Sequence, residues 1–336
     1  MTERRVAVVT GASRGVGKGI ALALGAAGHV VYVTGRSTGD HVTFPAVGGT
    51  VEQTAQAVTA AGGVGVAVPC DHTDDDQTAA LIERVRTEQG GLDLLVNNVW
   101  GGYAAYHEDR HADMEGSFWE QPLRVWDDMF TSGVRAHYAT TALAVPILRP
   151  GALVVTVSFF PGSYLNGADQ VAYSVAKAAD DRMVAVTAAQ LAQRDITAVA
   201  LYPGLVRTEG VMRAADFFDL SNSESPQFAG RAVAALAADP HVRRHTGRCL
   251  VAAELASEYD FTDIDGSRPS SIRPEFAAAS TPDGLAASPP DVAAPGVAAA
   301  SAPDVAAVSA PGVAAPGVAA PVRAGADGMP GAGGGR

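Results

Sequence analysis

The chain has 336 residues, of which 47% are hydrophobic, so it can bury a large core in one or two domains. Its formal net charge of −12 argues against a nucleic-acid-binding protein, which needs a basic face. The two cysteines, Cys70 and Cys249, are too far apart for a Cys-x-x-Cys metal site and fit a reducing compartment. No secretory signal or long apolar span is visible, so we expect a cytoplasmic protein without a membrane span.

The first predicted elements are an apolar strand at residues 6–9, a glycine-rich turn at residues 10–17 and an apolar helix. The glycines permit a sharp turn and a close approach of ligand to backbone, and the helix N-terminus offers free N–H groups to an anion. An ordinary strand–turn–helix connection is the alternative. We expect a cofactor phosphate to contact Gly11, Ser13, Arg14, Gly15, Val16 and Gly17.

A second strand at residues 30–34 completes a strand–helix–strand unit, whose strands are parallel. A carboxylate just past this strand would bind a ribose 2′-hydroxyl, whereas an arginine suits a 2′-phosphate. Arg36 occupies that position, Arg14 lies in the glycine turn, and no carboxylate stands nearby before Asp40. The sequence therefore favours NADP(H) over NAD(H). A solvated surface arginine is the alternative for Arg36.

Strands and helices alternate through the rest of the domain, which predicts an α/β, doubly wound parallel sheet in a single domain at residues 1–265. We expect strands at 64–68, 92–96, 151–158, 196–200 and 248–252, and helices at 50–61, 77–88, 126–145, 171–194 and 229–238. Asp71, at the end of the third strand, could accept a hydrogen bond from adenine. An extension covers residues 266–276. Recurrent Pro-Asp-Val-Ala-Ala and Pro-Gly-Val-Ala-Ala then predict a disordered Ala/Pro/Gly/Val-rich tail at 277–336.

Three side chains suggest proton chemistry beside a nicotinamide. Ser158 ends the fifth strand, and Tyr173 and Lys177 lie one turn apart on the following helix. A free tyrosine has a pKa of about 10, which a neighbouring lysine and an oxidised nicotinamide would lower. We therefore expect Tyr173 to exchange the proton and Ser158 to orient the substrate oxygen. An exposed helix face is the alternative.

Two loop regions offer further hypotheses. His107-Glu-Asp-Arg-His111 matches a zinc-protease string, but without an evident helix its histidines have no reason to converge, so we expect no metal site. Residues 209–228 are expected to be irregular and to form a lid. Aromatic side chains hint at an apolar substrate pocket; they are Tyr103, Tyr106, Phe159, Phe160, Phe217 and Phe218.

Taken together, these motifs resemble the short-chain dehydrogenase/reductase family over about residues 4–265. The motifs are Thr10-Gly-Ala-Ser-Arg-Gly-Val-Gly17, Asn97-Asn98, Ser158, Tyr173-x-x-x-Lys177 and Pro203-Gly204-x-Val206-x-Thr208. Phe118-Trp-Glu-Gln-Pro and Gly133-Val-Arg-Ala-His-Tyr138 more narrowly resemble its dehydrogenase/reductase SDR family member 1 branch.

The resemblance implies a Rossmann-type sheet, bound NAD(P) and reversible hydride transfer between a nicotinamide and a carbonyl or alcohol. It implies that Tyr173 is the acid/base, that Lys177 holds the cofactor ribose and that Ser158 positions substrate. Asp71 and Asn98 would contact the adenine and ribose side. The carboxamide end of the cofactor would contact Pro203, Gly204, Val206 and Thr208. The resemblance also implies a homo-oligomer, formed through the helices that carry Trp126 and Tyr173.

Three departures from the family pattern concern the reaction. The usual Asn-Asn-Ala-Gly reads Asn97-Asn98-Val99-Trp100-Gly101, which brings an indole near the nicotinamide. Gly133 stands where a catalytic asparagine is usual, so proton relay would depend on a water at its carbonyl. Ser158 lies two residues farther from Tyr173 than is usual, which makes Ser163 a second candidate for its role.

The sequence thus predicts an enzyme, an NADPH-preferring carbonyl reductase that acts on a small-molecule carbonyl or alcohol. An NAD-linked alcohol dehydrogenase is one alternative. A weakly catalytic dinucleotide-binding sensor or scaffold, suggested by Gly133 and the long tail, is another.

Overall fold

The computed structural model describes residues 4–108, 110–164 and 170–280, which belong to one compact unit. Most of the predicted tail, residues 281–336, lies outside the described residues. No helix in the described part of the chain is long and apolar enough to cross a bilayer.

The strands form one large parallel sheet and one small parallel pair. In chain order they are β1 (Val6–Val9), β2 (Val30–Gly35), β3 (Val64–Pro69), β4 (Leu92–Asn97), β5 (Leu148–Val157), β6 (Thr197–Tyr202), β7 (Leu205–Val206), β8 (Ser223–Glu224) and β9 (Cys249–Val251). The large sheet has the order β3-β2-β1-β4-β5-β6-β9, and β7 pairs with β8. This order reverses between β1 and β4, so the predicted doubly wound, Rossmann-type fold is confirmed.

Helices cover both faces of the large sheet. They are α1 (Gly15–Ala26), α2 (Val51–Ala60), α3 (Asp75–Gln89), α4 (Ala104–His107), α5 (Arg124–Met129), α6 (Ala136–Ala144), α7 (Val171–Leu191), α8 (Glu209–Arg213), α9 (Pro226–Ala238), α10 (Ala252–Glu258) and α11 (Arg273–Ala279). Because helices cover both faces, β1 and β2 are buried along their whole length and do not alternate between apolar and polar residues. In β1, Ala7 and Val9 pack on one face, and Val6 and Val8 on the other.

Two predicted segments differ in the structure. The helix expected at 126–145 is divided into α5 and α6 by a π-helical turn, Phe130–Arg135, which contains Gly133. The segment at 209–228 is not wholly irregular, because it contains α8 and the first turn of α9. The Thr208 hydroxyl caps α8 by accepting a hydrogen bond from the Val211 amide at 3.2 Å.

The predicted extension packs onto the domain. Phe276 of α11 is buried and stacks on Phe160 at 4.9 Å between ring centres. Arg273 fixes the same helix by ion-pairing with Glu254 at 2.8 Å. Helix α11 continues to Ala279, three residues into the stretch predicted as tail.

Candidate active site

A cavity of about 560 Å³ lies beyond the carboxyl ends of the strands, where ligands bind in such sheets. Fifteen of the sixteen predicted site residues line it: Gly11, Ser13, Arg14, Gly15, Val16, Arg36, Asp71, Asn98, Ser158, Tyr173, Lys177, Pro203, Gly204, Val206 and Thr208. Gly17 instead packs behind the turn, where a Cβ would lie 2.4 Å from Asn98 Nδ2. The structure thus gives Gly17 a packing role, and its contact with a cofactor stays a prediction.

Backbone geometry shapes the glycine turn. Gly11 and Gly15 have φ angles of +63° and +57°, a region that side chains disfavour. Asn98 Nδ2 donates to the Thr10 carbonyl at 2.9 Å and thereby ties the turn to the end of β4. At the start of α1, the Gly15 amide donates to Glu209 Oε2 at 2.9 Å. A carboxylate of the chain itself therefore lies at the position expected for the cofactor phosphate.

Arg14 is the main cation at one end of the cavity. Its Nη2 donates to Ser37 Oγ at 2.5 Å, and its guanidinium lies 5.5 Å from the ring centre of Phe44. Its Nε and Nη1 are buried and have no hydrogen-bond partner among the described residues. Burial lowers the pKa of Arg14 below its usual value, with Glu209 opposing that effect. Two guanidinium nitrogens without hydrogen-bond partners, on a residue that lines the cavity, are suited to phosphate oxygens.

Arg36 lies at the same end and is half exposed. Its Nη1 is 3.9 Å from Asp71 Oδ2. The other oxygen of Asp71 accepts hydrogen bonds from the amide and hydroxyl of Thr73, at 3.0 and 2.8 Å. Asp71 thus orders the loop beside Arg36 as well as lining the cavity.

The other end of the cavity holds Ser158, Tyr173 and Lys177. Lys177 is buried, and its Nζ donates to the Val157 carbonyl at 3.4 Å and to Asp180 Oδ2 at 3.5 Å. Burial lowers the pKa of Lys177, and Asp180 opposes that effect. The Tyr103 hydroxyl faces that of Tyr173. The structure therefore brings the predicted proton-exchanging groups together.

Ser163 lies elsewhere. Its Oγ is 2.7 Å from the Tyr202 hydroxyl and 3.3 Å from Asp181 Oδ2, in a cluster behind the cavity wall. Ser158, in contrast, lines the cavity and holds its Oγ 3.4 Å from the Lys177 carbonyl. The geometry therefore favours Ser158 over Ser163 for contact with substrate.

Trp100 and Gly133, two of the departures from the family pattern, fit each other. The Trp100 ring covers Gly133 so closely that a Cβ at residue 133 would lie 2.6 Å from it. The same ring lies 3.9 Å from Lys177 Nζ and makes an edge contact with Tyr173, at 5.5 Å between ring centres. The indole thus occupies space beside the lysine that a side chain at residue 133 would need.

The zinc-protease string lacks the helix that its chemistry requires. Helix α4 ends at His107, and a separate 3₁₀ turn begins at His111. Nowhere in the described ranges do three or more His, Cys, Asp or Glu side chains form a group able to hold a metal ion.

The predicted aromatic pocket residues divide into two groups. Tyr103, Phe159, Phe217 and Phe218 line the cavity, whereas Phe160 is fully buried in the core. The side chain of Tyr106 lies outside the described part of the structure. The predicted lid segment contributes Phe217 and Phe218 to the cavity wall.

Sequence reasoning missed three charged or titratable side chains around the site: His137, Asp180 and Glu209. His137 Nδ1 lies 3.0 Å from Asp180 Oδ1, and both side chains are buried. For Asp180, the sequence signal was a carboxylate three positions after Lys177 on the same helix.

Residues 5–217 match the short chain dehydrogenase family model. The chain is 40% identical over 278 residues to dehydrogenase/reductase SDR family member 1 of Mus musculus, covering 78% of this chain and 84% of the mouse protein. It is 36% identical to the Homo sapiens protein of the same name, with the same coverage.

Solved structures share the fold. A candidate dehydrogenase from Xanthomonas campestris has a TM-score of 0.66 and 25% identity, covering 79% of this chain and 93% of that one. A 3-oxoacyl-[acyl-carrier protein] reductase from Brucella melitensis in complex with NAD has a TM-score of 0.63 and 24% identity, covering 75% and 96%. A short chain dehydrogenase from Burkholderia cenocepacia in complex with NADP has a TM-score of 0.61 and 24% identity, covering 74% and 95%.

Proposed function

We propose an NADPH-preferring carbonyl reductase activity for this chain, which belongs to the short-chain dehydrogenase family and is therefore an oxidoreductase. The observation that carries the proposal is that one cavity joins the glycine turn to Ser158, Tyr173 and Lys177. A dinucleotide that spans the cavity would have its phosphates at the turn and its nicotinamide near the tyrosine.

The preference for NADPH rests on the arginines of this chain. The neighbouring folds were solved with NAD in one case and NADP in another, so the fold alone does not select the cofactor. The unpartnered N–H groups of Arg14 would hold the 2′-phosphate together with Arg36. Asp71 and Asn98 would lie along the adenine and ribose side. Toward the carboxamide end, the cavity is lined by Pro203, Gly204, Val206 and Thr208.

The proposed reaction uses few groups. NADPH, when bound, supplies a hydride to the substrate carbonyl carbon. The Tyr173 hydroxyl gives its proton to the carbonyl oxygen, and Ser158 Oγ donates a hydrogen bond that orients the same oxygen. The Lys177 ammonium, with Nζ 6.0 Å from the Tyr173 ring centre, stabilises the phenolate that remains. Because the Tyr103 hydroxyl faces that of Tyr173, the substrate oxygen would lie between the two hydroxyls or displace Tyr103.

A fluorescence titration with NADPH and with NADH tests the cofactor assignment. Tighter NADPH binding supports it, and tighter NADH binding moves the NAD-linked alcohol dehydrogenase to first place. Activity is then screened with NADPH against aromatic aldehydes and diketones, which suit a pocket lined by Tyr103, Phe159 and Phe217. Tyr173→Phe should reduce turnover by about 100-fold or more while NADPH still binds.

One observation supports a sensor or scaffold function instead. The Trp100 ring packs over Gly133, at a position where the family usually has a catalytic asparagine. NADPH binding without turnover of any aldehyde or diketone, in the wild-type protein, would favour that alternative over the reductase.

We also propose a cytoplasmic homo-oligomer. Both cysteines are unpaired, which fits a reducing compartment. Large apolar side chains are exposed on α5, α6 and α7; they are Trp126, Tyr138, Val171, Val175 and Val186. Such a surface suits association between copies. Light scattering after size-exclusion chromatography should give a multiple of the monomer mass of 34.2 kDa.

A further inference from the structure

Three charged or titratable side chains are buried together beside the proposed acid/base. Lys177, Asp180 and His137 are 6%, 0% and 1% exposed. Asp180 Oδ2 is 3.5 Å from Lys177 Nζ, and Asp180 Oδ1 is 3.0 Å from His137 Nδ1. Burying charges costs several kcal/mol per ion unless they are paired and hydrogen-bonded, so this cluster of charges needs a reason.

Hydrogen-bond geometry sets the number of protons that His137 carries. Its Nε2 lies 2.9 Å from the Val99 carbonyl oxygen, which can only accept, so Nε2 bears a proton. Its Nδ1 faces an Asp180 oxygen, so a second proton lies between them. Burial would raise the pKa of Asp180, but His137 and Lys177 hold it below its ordinary value. Asp180 is therefore the carboxylate of the cluster.

A second buried imidazole, that of His72, interacts with His137. His72 Nε2 lies 2.7 Å from Thr34 Oγ1, and its Nδ1 lies 3.1 Å from Thr140 Oγ1. Burial, with a smaller contribution from the His137 charge, lowers the pKa of His72 to about 4. His72 is therefore neutral near neutral pH, and it can both donate and accept between two hydroxyls.

We propose that Asp180 and His137 are positioning residues, which hold Lys177 as an ammonium beside Tyr173 by placing one buried carboxylate between two cations. The inference rests on the proposed roles of Tyr173 and Lys177. Lys177 Nζ has the Trp100 ring on one side, so Asp180 supplies the direct negative charge that opposes its desolvation. Without that charge, Lys177 would lose its proton more readily and stabilise a Tyr173 phenolate less.

Few titratable or polar groups surround Lys177 and Tyr173. The titratable groups that face Lys177 are Tyr173, Asp180 and Asp181 on α7, with His137 of α6 acting through Asp180; β5 contributes only the Val157 carbonyl. Tyr173 faces the Tyr103 hydroxyl, Lys177 and the rings of Trp100 and Phe159. Asp180 is thus the carboxylate in hydrogen-bond contact with this lysine.

Asp180→Asn is a matched test because it keeps the shape of the cluster. The asparagine amide can donate to a neutral His137, and its oxygen can accept from Lys177, so every hydrogen bond has a counterpart. Only the carboxylate charge and the shared proton are lost. Asp93→Asn is the control, because Asp93 is a partly buried carboxylate paired with Arg149 at 2.8 Å and lies near the amino end of β4, whereas the cavity lies beyond the carboxyl ends.

The measurement is the ionisation of Tyr173 in the cofactor-free protein, followed by phenolate absorbance near 295 nm. Spectra of the corresponding Tyr173→Phe protein are subtracted in each background, which isolates one tyrosine. Asp180→Asn should raise the ionisation midpoint by about one pH unit, a tenfold change in proton affinity. Asp93→Asn should lower the melting temperature without moving the midpoint. An unchanged midpoint in folded Asp180→Asn overturns the proposal.

A second measurement needs no variant in the tested sample. Long-range ¹H–¹⁵N correlation spectra of the wild-type imidazoles, assigned with His137→Gln, should show both nitrogens of His137 protonated near pH 7. An unprotonated Nδ1 would contradict the proton count. Neither experiment requires turnover. If the protein has no reductase activity but the Tyr173 ionisation midpoint shifts as expected, the positioning role stands and the proposed function fails. If Tyr173→Phe abolishes activity but Asp180→Asn leaves the ionisation midpoint of Tyr173 unchanged, the proposed function stands and the positioning role of Asp180 fails.

Discussion

The Trp100 ring lies against Gly133 at a distance that leaves no room for a Cβ, since a methyl carbon there would be 2.6 Å from the ring. The two residues come from different elements, the loop after β4 and the π-helical turn between α5 and α6. The missing side chain at 133 is therefore the structural counterpart of the indole, and the two departures from the family pattern form one packing arrangement.

Gly133→Ala should destabilise the protein by about 1–3 kcal/mol, because the methyl group overpacks against the ring. In a Trp100→Ala background the same change should cost less, and a double-mutant cycle measured by urea unfolding gives the coupling. Gly39→Ala is the control, because nothing lies within 4 Å of the position that a Cβ would take there. If the two changes have additive effects on the free energy of unfolding, the contact between Trp100 and residue 133 does not contribute to stability.

Arg14→Met should weaken NADPH binding by about 10–100-fold, since the loss of a charge-assisted hydrogen bond costs about 1.5–3 kcal/mol. NADH binding should change little, because NADH lacks the 2′-phosphate that the Arg14 side chain would hold. Fluorescence titration of both cofactors measures the ratio. Arg4→Met is the control, an arginine whose Nη1 donates to the Gly62 carbonyl at 3.0 Å and which does not line the cavity. Equal losses for the two cofactors in Arg14→Met would contradict the assignment.

Glu209→Gln should increase the affinity for NADPH. The Glu209 carboxylate accepts from the Gly15 amide and lies near Arg14, where it would compete with the proposed cofactor phosphates. The same change should destabilise the cofactor-free protein, so the rise in melting temperature on adding NADPH should become larger. Asp216→Asn, in the same segment, is the control for general charge effects. Affinity that is equal in wild type and Glu209→Gln would mean that the carboxylate does not compete.

The buried Glu224 carboxyl should make the protein less stable as the pH rises from about 4.5 to about 8. Neither of its buried carboxyl oxygens has a hydrogen-bond partner among the described residues, and burial raises its pKa to about 8. The folded state therefore holds a proton that the unfolded state releases near pH 4.5, the ordinary value. Stability from this group is full below about pH 4.5 and falls as pH rises toward 8, by at most about 1.4 kcal/mol per pH unit.

Glu224→Gln should remove that component of the pH dependence. Urea unfolding at several values between pH 5 and pH 9 compares the two proteins, and their stabilities should diverge as the pH rises. Asp263, which lies nearby and is hydrogen-bonded to the Ser225 amide at 2.7 Å, is unchanged in the variant. Parallel stability curves would show that Glu224 does not titrate in this range.

Most of the fold could be predicted from local patterns. Apolar strands such as Val30–Gly35, separated by helices, identify a parallel sheet because both of its faces must be covered. The helix break at Phe130–Arg135 could not be predicted, since local periodicity continues through it. Likewise, α11 packs on the core through aromatic contacts of Phe276 with Phe159 and Phe160, which pair side chains more than a hundred residues apart.

By itself the sequence determined the elements, the family and the residues expected at the site, because glycine spacing, strand ends and i,i+4 placement on a helix are local properties. Only the tertiary structure decided which of those residues share one cavity, that Ser158 rather than Ser163 lines it, and that Glu209 lies at the glycine turn. It also decided that Asp180 contacts both His137 and Lys177. Most of these contacts join separate elements, so no local pattern encodes them. Burial, which shifts the pKa values of these groups, arises only when the chain is packed.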